Sequence, residues 1–264
     1  MQKKGGENME NRFSNLINKF HEIYKRGWIK SNSNDFNSVG NTFEELLGKK
    51  MDEFSYPDYD GIEIKCQRVD TSYPFTLFGL APWGESVPEI ERIRRKYGYF
   101  DFDPDDKKKI NAEFLYDKNI LICNRYYFNL DICVAEEKIY LVIYDYNHNL
   151  LERISYWSFS DIKEKLNVKL QYMAYIYSAS QKFDGVEYFK YFRMECYQNP
   201  SFDKFLDLIR RNIISVSFTT SSVKYGPSEG KMKASVYFRI HRGDIIKLFE
   251  KVCVEDLSGN KDHL

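Results

Sequence analysis

The chain has 264 residues, 43% of them hydrophobic and 30% charged, with 39 Lys and Arg balancing 39 Asp and Glu. That apolar content suffices for one large core or two lobes, and zero net charge argues against a protein that coats nucleic acid indiscriminately while allowing a local basic surface. Its longest apolar runs, such as IYLVIY at 139–144, fall far short of a membrane span, and the start MQKKGGENMENR has no apolar signal core, so a cytoplasmic location is expected.

Residues 1–12 are polar and read as a flexible N-terminus. From 13, FSNLINKFHEIYKRG places apolar residues at 13, 16, 17, 20, 23 and 24, a helical stripe closed by Gly27. WIKSNSNDFNSVG is a Ser/Asn-rich loop. In NTFEELLGKK, Thr42 stands three residues before Glu45, the spacing of a capping box, which predicts a second helix ending near Gly48. Strands are predicted in GIEIKCQRV (61–69), in FTLFGLA (75–81), and in two or three runs of NILICNRYYFNLDICVAEEKIYLVIYDY (119–146). Helical patterns return in SFSDIKEKLNVKLQYMAYIYSAS (158–180) and SFDKFLDLIRRN (201–212). The end reads as strand IISVSFTT, loop SSVKYGPSEGKMK, strand ASVYFRI and helix GDIIKLFEKVCV. The pattern is mixed α/β without regular βαβ alternation, repeat or long linker, as expected of a single bilobal domain.

Several motifs fail on their chemistry. DFDPDD at 101–106 begins like a calcium loop but has Asp106 where the turn needs Gly and Ala112 where a bidentate Glu is required, so it reads as a solvated acidic turn. GPSEGKM at 226–232 is one residue short of a phosphate loop and ends on Met232 in place of a hydroxyl. His21, His148, His241 and His263 have no metal-ligand spacing, and no GxSxG elbow occurs. The cysteines at 66, 123, 133, 196 and 253 form no CxxC pair and read as buried free thiols. The dispersed Tyr and Phe residues read mostly as core.

DYDGIEIKCQRVD, 58–70, does carry chemistry. Alternation along a strand turns Ile62, Ile64 and Cys66 into the core and Glu63 and Lys65 to the other face. Phosphodiester hydrolysis needs a divalent cation and a group that assists attack by water. Magnesium is satisfied by one or two carboxylates plus water and phosphate oxygens, so Glu63 and Asp58 are the expected Mg²⁺ ligands and Lys65 the group acting on the water. On the preceding helix, capping would occupy Glu45 and leave Glu44 to point across at the site. An exposed Glu/Lys pair on a strand and an Asp in a turn are also common without function, and a turn can present either Asp58 or Asp60.

Residues 25–82 resemble the MvaI/BcnI restriction endonucleases, relatives of the MutH mismatch-repair nickase within the PD-(D/E)xK nuclease group. The likeness is collinear: Gly27-Trp28; a helix with a Glu before Leu-Leu-Gly, here Glu44 or Glu45; Asp58, Glu63 and Lys65; then Thr76, Leu77, Phe78, Ala81 and Pro82. More loosely, VYFRIHRGDIIKLFE resembles the family's last strand and terminal helix. The resemblance implies a restriction-endonuclease-like core, a central mixed sheet flanked by helices, with two lobes around a DNA cleft. The catalytic lobe is then expected over 13–160 and the DNA-recognition lobe over 161–264. It also implies a monomer that uses Mg²⁺ to cut double-stranded DNA at a short specific sequence, leaving 5′-phosphates, with a cognate DNA methyltransferase encoded nearby. A nicking or repair endonuclease with the same site, and a DNA-binding protein whose site has decayed, are the alternatives; intact Asp58, Glu63 and Lys65 argue against decay.

Between 219 and 243 five cationic side chains face one acid, Glu229. Lys224, Tyr225, Lys231, Lys233, Arg239, His241 and Arg242, with Lys30 near the start, are the candidate DNA contacts, because Arg and Lys bond phosphates and guanine edges. The family's loop before the last strand is rich in Gly and His, whereas EGKMKASVYFRI here has His241 beyond the strand, which leaves the recognition sequence open.

Overall fold

The computed structural model describes residues 12–33, 35, 37–48, 56–86, 88–100, 108–222 and 231–259. The acidic turn expected at 101–106, the contact candidates Lys224 and Tyr225, and nearly all of the N-terminal segment 1–12 lie outside the described residues.

In chain order the first elements are helix α1 (Ser14–Lys25), strand β1 (Ile29–Lys30), helix α2 (Ser38–Leu46) and strand β2 (Glu63–Arg68). Next come β3 (Phe75–Gly79), α3 (Glu89–Tyr97), β4 (Tyr99–Phe100), β5 (Lys108–Lys109) and β6 (Ala112–Phe114). A meander follows: β7 (Ile120–Ile122), β8 (Tyr126–Cys133), β9 (Lys138–Asp145), β10 (Leu150–Glu152) and β11 (Tyr156–Ser158). Helix α4 (Phe159–Glu164) runs into a π-helical turn, Lys165–Lys169, and then β12 (Tyr172–Phe183), β13 (Val186–Gln198) and α5 (Phe202–Arg210). The last elements are β14 (Ile214–Ser222), β15 (Met232–Ile240), α6 (Ile245–Leu248) and β16 (Glu250–Asp256). Among the described residues no helix is long and apolar enough to cross a membrane.

These elements form two compact units, one of residues 1–72, 166–200 and 249–264, the other of 73–165 and 201–248. The units are interleaved in sequence; the two later segments of the first unit, 166–200 and 249–264, carry β12, β13 and β16, which complete its sheet.

The first unit holds the sheet β1-β13-β12-β2, with β16 also on β13. It is mixed: β12 runs parallel to β2 and antiparallel to β13. Leu16, Phe20 and Ile23 of α1 and Val39 and Phe43 of α2 pack with Ile62, Ile64, Ala174, Ile176 and Met194 in one core. Each of these buried Leu, Ile, Val, Phe and Met side chains contributes roughly 1.5–3 kcal/mol. In the second unit β3-β15-β14-β6 forms a four-stranded sheet, and Phe78, Phe114, Phe128, Trp157, Phe205, Phe218 and Phe238 are fully buried, the core role expected for the aromatic residues.

Several local expectations are corrected. The helical pattern over 158–180 is helix only as far as Glu164, after which the chain becomes the long strand β12. Met173, Ala174, Tyr175 and Ile176 are all fully buried, and a strand covered on both faces reads as an unbroken apolar run, like a buried helix. GDIIKLFEKVCV is likewise helical only at Ile245–Leu248, because Lys251, Cys253 and Val254 instead pair with the edge of β13. Helix α3 is an addition to the sequence reading. Cys196 and Cys253, directly opposite on β13 and β16, form a disulfide, so only Cys66, Cys123 and Cys133 are free thiols. The capping box is also overturned. Helix α2 begins at Ser38, Thr42 lies within it bonded to Asn32, and Glu45 accepts from the Asn32 side-chain amide at 2.9 Å.

Candidate active site

A tight hairpin delivers the first carboxylate. Tyr59 and Ile62 exchange both backbone hydrogen bonds, at 3.0 and 2.8 Å, around Asp60 and Gly61, whose φ angles are +47° and +74°. Two successive positive φ values define the mirror-image turn that Asp-Gly favours. Asp60 is therefore the turn residue and is exposed, whereas Asp58 folds back so that its Oδ2 accepts from the Ile64 N–H at 2.9 Å.

Strand β2 then alternates as expected. Ile62 and Ile64 enter the core, and Glu63 and Lys65 share the opposite face, where Glu63 is only 1% exposed. Lys65 Nζ lies 2.6 Å from Glu63 Oε1. A second ammonium reaches the same oxygen: Lys169 Nζ, at 3.3 Å, delivered by the π-helical turn that precedes β12. Glu63 Oε2, on the other side of the carboxylate, is buried without a hydrogen-bond partner. Burial disfavours the Lys65 ammonium, but Glu63 foremost, then Asp58 and Glu44, outweigh it and raise the pKa above the usual lysine value. Lys65 is a firmly held cation.

Glu44 approaches from α2. Its charge acts on Lys65 and, after burial, is the next influence holding the Cys66 thiol well above the ordinary cysteine pKa. The helix is fixed at its first turn: Arg68 Nη2 donates to Ser38 Oγ at 3.1 Å, and the buried Tyr191 hydroxyl donates to the Val39 carbonyl at 2.8 Å. Arg68 is itself held by a two-pronged pair with Glu187, at 2.8 and 2.7 Å. Farther along the same face, the Tyr175 hydroxyl donates to Gln67 Oε1.

The structure thus brings Asp58, Glu63, Lys65 and Glu44 together and adds Lys169, which the sequence reading missed. No spacing rule connects Lys169 to Glu63; their proximity follows from the parallel pairing of Glu63 with Met173. Among the described residues no group of three or more His, Cys, Asp or Glu is placed to hold a metal. The donors present still suit magnesium, a hard cation that keeps much of its water: they are carboxylate oxygens, and Glu63 Oε2 is a buried acceptor lacking a donor.

The other candidates fall on other elements. Lys30 is exposed on β1, opposite Tyr188. In the second unit Lys231, Lys233 and His241 are exposed, and Arg242 is half-buried in a short 3-10 turn. Arg239 turns back to donate from Nη2 to the Pro74 carbonyl at 2.6 Å, and its Nε is buried without a partner.

A model of the MvaI/BcnI restriction endonuclease family matches residues 17–249. Among solved structures, restriction endonuclease MvaI in complex with its cognate DNA aligns with a TM-score of 0.85 at 23% identity, covering 95% of this chain and 100% of that one. MvaI in the absence of DNA aligns with a TM-score of 0.57 at 22% identity, covering 97% and 100%. A search of curated proteins found no match. At these identities the likeness to the solved structures speaks for a shared, restriction-endonuclease-like fold.

Proposed function

The chain belongs to the MvaI/BcnI restriction endonuclease family, and on that premise we propose that it is a type II enzyme cutting double-stranded DNA at a short specific sequence with Mg²⁺, leaving 5′-phosphate ends. The observation that carries this reading is the buried Glu63 carboxylate, with Lys65 and Lys169 on one oxygen and the other lacking a donor, beside Asp58. We read the enzyme as a cytoplasmic monomer whose own genome is protected by a companion DNA methyltransferase. The cognate DNA bound by MvaI supports a duplex substrate here.

Asp58 and Glu63 are the residues that would hold Mg²⁺, which when bound neutralises charge developing on the phosphate. Lys65 holds the attacking water by its ammonium and stabilises the negative charge that water acquires as its proton leaves. Lys169 holds one oxygen of Glu63, so the carboxylate is presented in one orientation. Glu44 faces Lys65 from α2 and holds that ammonium in register. The hairpin turn at Asp60-Gly61 sets where Asp58 stands.

The direct experiment incubates purified protein and Mg²⁺ with unmethylated supercoiled plasmids and sequences the ends. Discrete fragments with a common end sequence are expected. Accumulation of open circles alone would identify a nicking enzyme, and intact plasmid across a diverse panel would refute the endonuclease reading.

A further inference from the structure

The face of β2 that carries Glu63 and Lys65 does not end there. Alternation puts Gln67 on the same side, two residues farther along the strand, a step of about 6.6 Å from Lys65 at the usual rise per residue. The face continues across the sheet in rows. Lys65 and Gln67 stand beside Tyr175 and Tyr177 of β12, and those two stand opposite Glu195 and Arg193 of β13. All of these residues belong to the first unit.

Tyr175 is fully buried, and its hydroxyl donates to the side-chain oxygen of the half-buried Gln67. The tyrosine is itself braced. The Tyr177 ring meets it edge-on with 5.0 Å between centroids, and the Arg193 guanidinium lies over Tyr177 at 5.4 Å. Arg193 is held in turn by Glu195 at 2.6 Å and by Asp256 at 2.9 Å, and Lys251 pairs with Glu195 at 3.2 Å. Rings and ion pairs thus run from β16 through β13 and β12 to one oxygen of Gln67.

A glutamine amide has two unlike ends, a carbonyl oxygen that accepts and a nitrogen with two donor hydrogens. With the oxygen held by Tyr175, the amide meets a ligand as a donor, so the ligand must be an acceptor. Phosphate oxygens are such acceptors, and Gln side chains are among the groups that bond them in DNA complexes. A neutral donor also does not compete for Glu63 or Asp58, as a further lysine on this face would. Successive phosphates of one DNA strand rise by about 3.4 Å along the axis and are turned about it as well. Their separation therefore exceeds that rise and is of the same order as the step from Lys65 to Gln67.

We propose that Gln67 binds, through its amide nitrogen, the phosphate next to the one being cut, and that Tyr175 is the positioning residue that sets which end of the amide donates. This rests on the reading of the chain as a DNA endonuclease. The test takes the duplex mapped by plasmid cleavage and places an uncharged methylphosphonate at one phosphate at a time on either side of the scissile bond. For the wild-type chain, one of the two adjacent positions should slow cleavage about tenfold or more. The same replacement should slow Gln67→Ala little further. Gln67→Glu keeps an acceptor for Tyr175 but sets an anionic oxygen against the phosphate, so it should cut more slowly than Gln67→Ala and be sped up by the methylphosphonate at that position. Tyr175→Phe, which lets the amide turn over, should show a methylphosphonate penalty between those of the wild type and Gln67→Ala. An undiminished penalty in Gln67→Ala, or Gln67→Glu cutting no more slowly than Gln67→Ala, overturns the proposal: the pair then only satisfies a buried hydroxyl, and wild-type cutting leaves the endonuclease reading standing. A wild-type chain that cuts no plasmid brings down both.

Discussion

Lys169 and Lys65 converge on one oxygen of Glu63, at 3.3 and 2.6 Å, although Lys169 comes from the turn that leads into β12 and the other two from β2. The two ammoniums occupy different positions along the chain and are not interchangeable. Lys65 stands on the strand beside the carboxylates, whereas Lys169 approaches from a turn. Lys65→Ala should lower the single-turnover cleavage rate by about a hundredfold or more while preserving DNA binding. Lys169→Ala, which removes one charge-assisted contact to Glu63, should cost about tenfold to a hundredfold and shift the magnesium dependence to higher concentration. A Lys169→Ala enzyme with wild-type rate at every magnesium concentration would show that the contact has no part in cleavage.

Asp58 and Asp60 are two residues apart but do different work. Asp60 occupies a left-handed turn position, φ +47°, that Asn also tolerates, so Asp60→Asn should cut at close to the wild-type rate. Asp58→Asn keeps the acceptor for the Ile64 N–H but removes the charge, and should abolish cutting with little change in melting temperature. Equal loss in both variants would contradict the assignment of Asp58 as the ligand.

The contrast between these two aspartates shows what was legible in the sequence. Alternation fixes which face of β2 carries Glu63 and Lys65, and the Asp-Gly pair encodes the hairpin; both are local rules. Glu44 was expected at the site because capping would occupy Glu45; Glu45 is engaged, but by Asn32 rather than by a capping box. Lys169 was not legible because its place depends on a parallel pairing between distant strands. The same pairing hid β12 itself, since a strand buried on both faces lacks the period-two signal. The Cys196–Cys253 bond likewise depends on β16 returning to β13, a register that no Cys spacing announces.

Glu63 Oε2 is buried without a donor, so a cation that binds this oxygen should stabilise the folded chain. A ligand bound only by the native state contributes about 2.7 kcal/mol at a hundredfold excess over its Kd. Thermal melts with and without Mg²⁺ should show a rise for the wild-type chain and none for Glu63→Gln. The unliganded Glu63→Gln protein should itself melt lower, because Lys65 and Lys169 then lose their shared counter-ion. An identical magnesium shift in Glu63→Gln would place the cation elsewhere.

Acid sensitivity should arise in the second unit, at Glu152. Its carboxylate is buried, which alone would raise its pKa, but hydrogen bonds from Arg92, from Lys96 at 2.8 Å and from the Tyr97 hydroxyl at 2.6 Å hold it down at about 2. A pKa lowered on folding favours the folded state above the unfolded carboxylate value and loses that contribution as pH falls through the folded value. The window therefore runs from about pH 4.5 down to about 2, and the contribution is on the order of 3 kcal/mol. Denaturant unfolding followed across this range should show stability falling steadily as acid is added. Glu152→Gln should be less stable at neutral pH, because Arg92 loses one of its buried carboxylate partners, yet its stability should fall less steeply over the same interval. If the variant keeps the wild-type acid slope, the titrating group lies elsewhere, and the neighbouring Glu89, also lowered by Arg92 and Ser155 against its burial, is the next to replace.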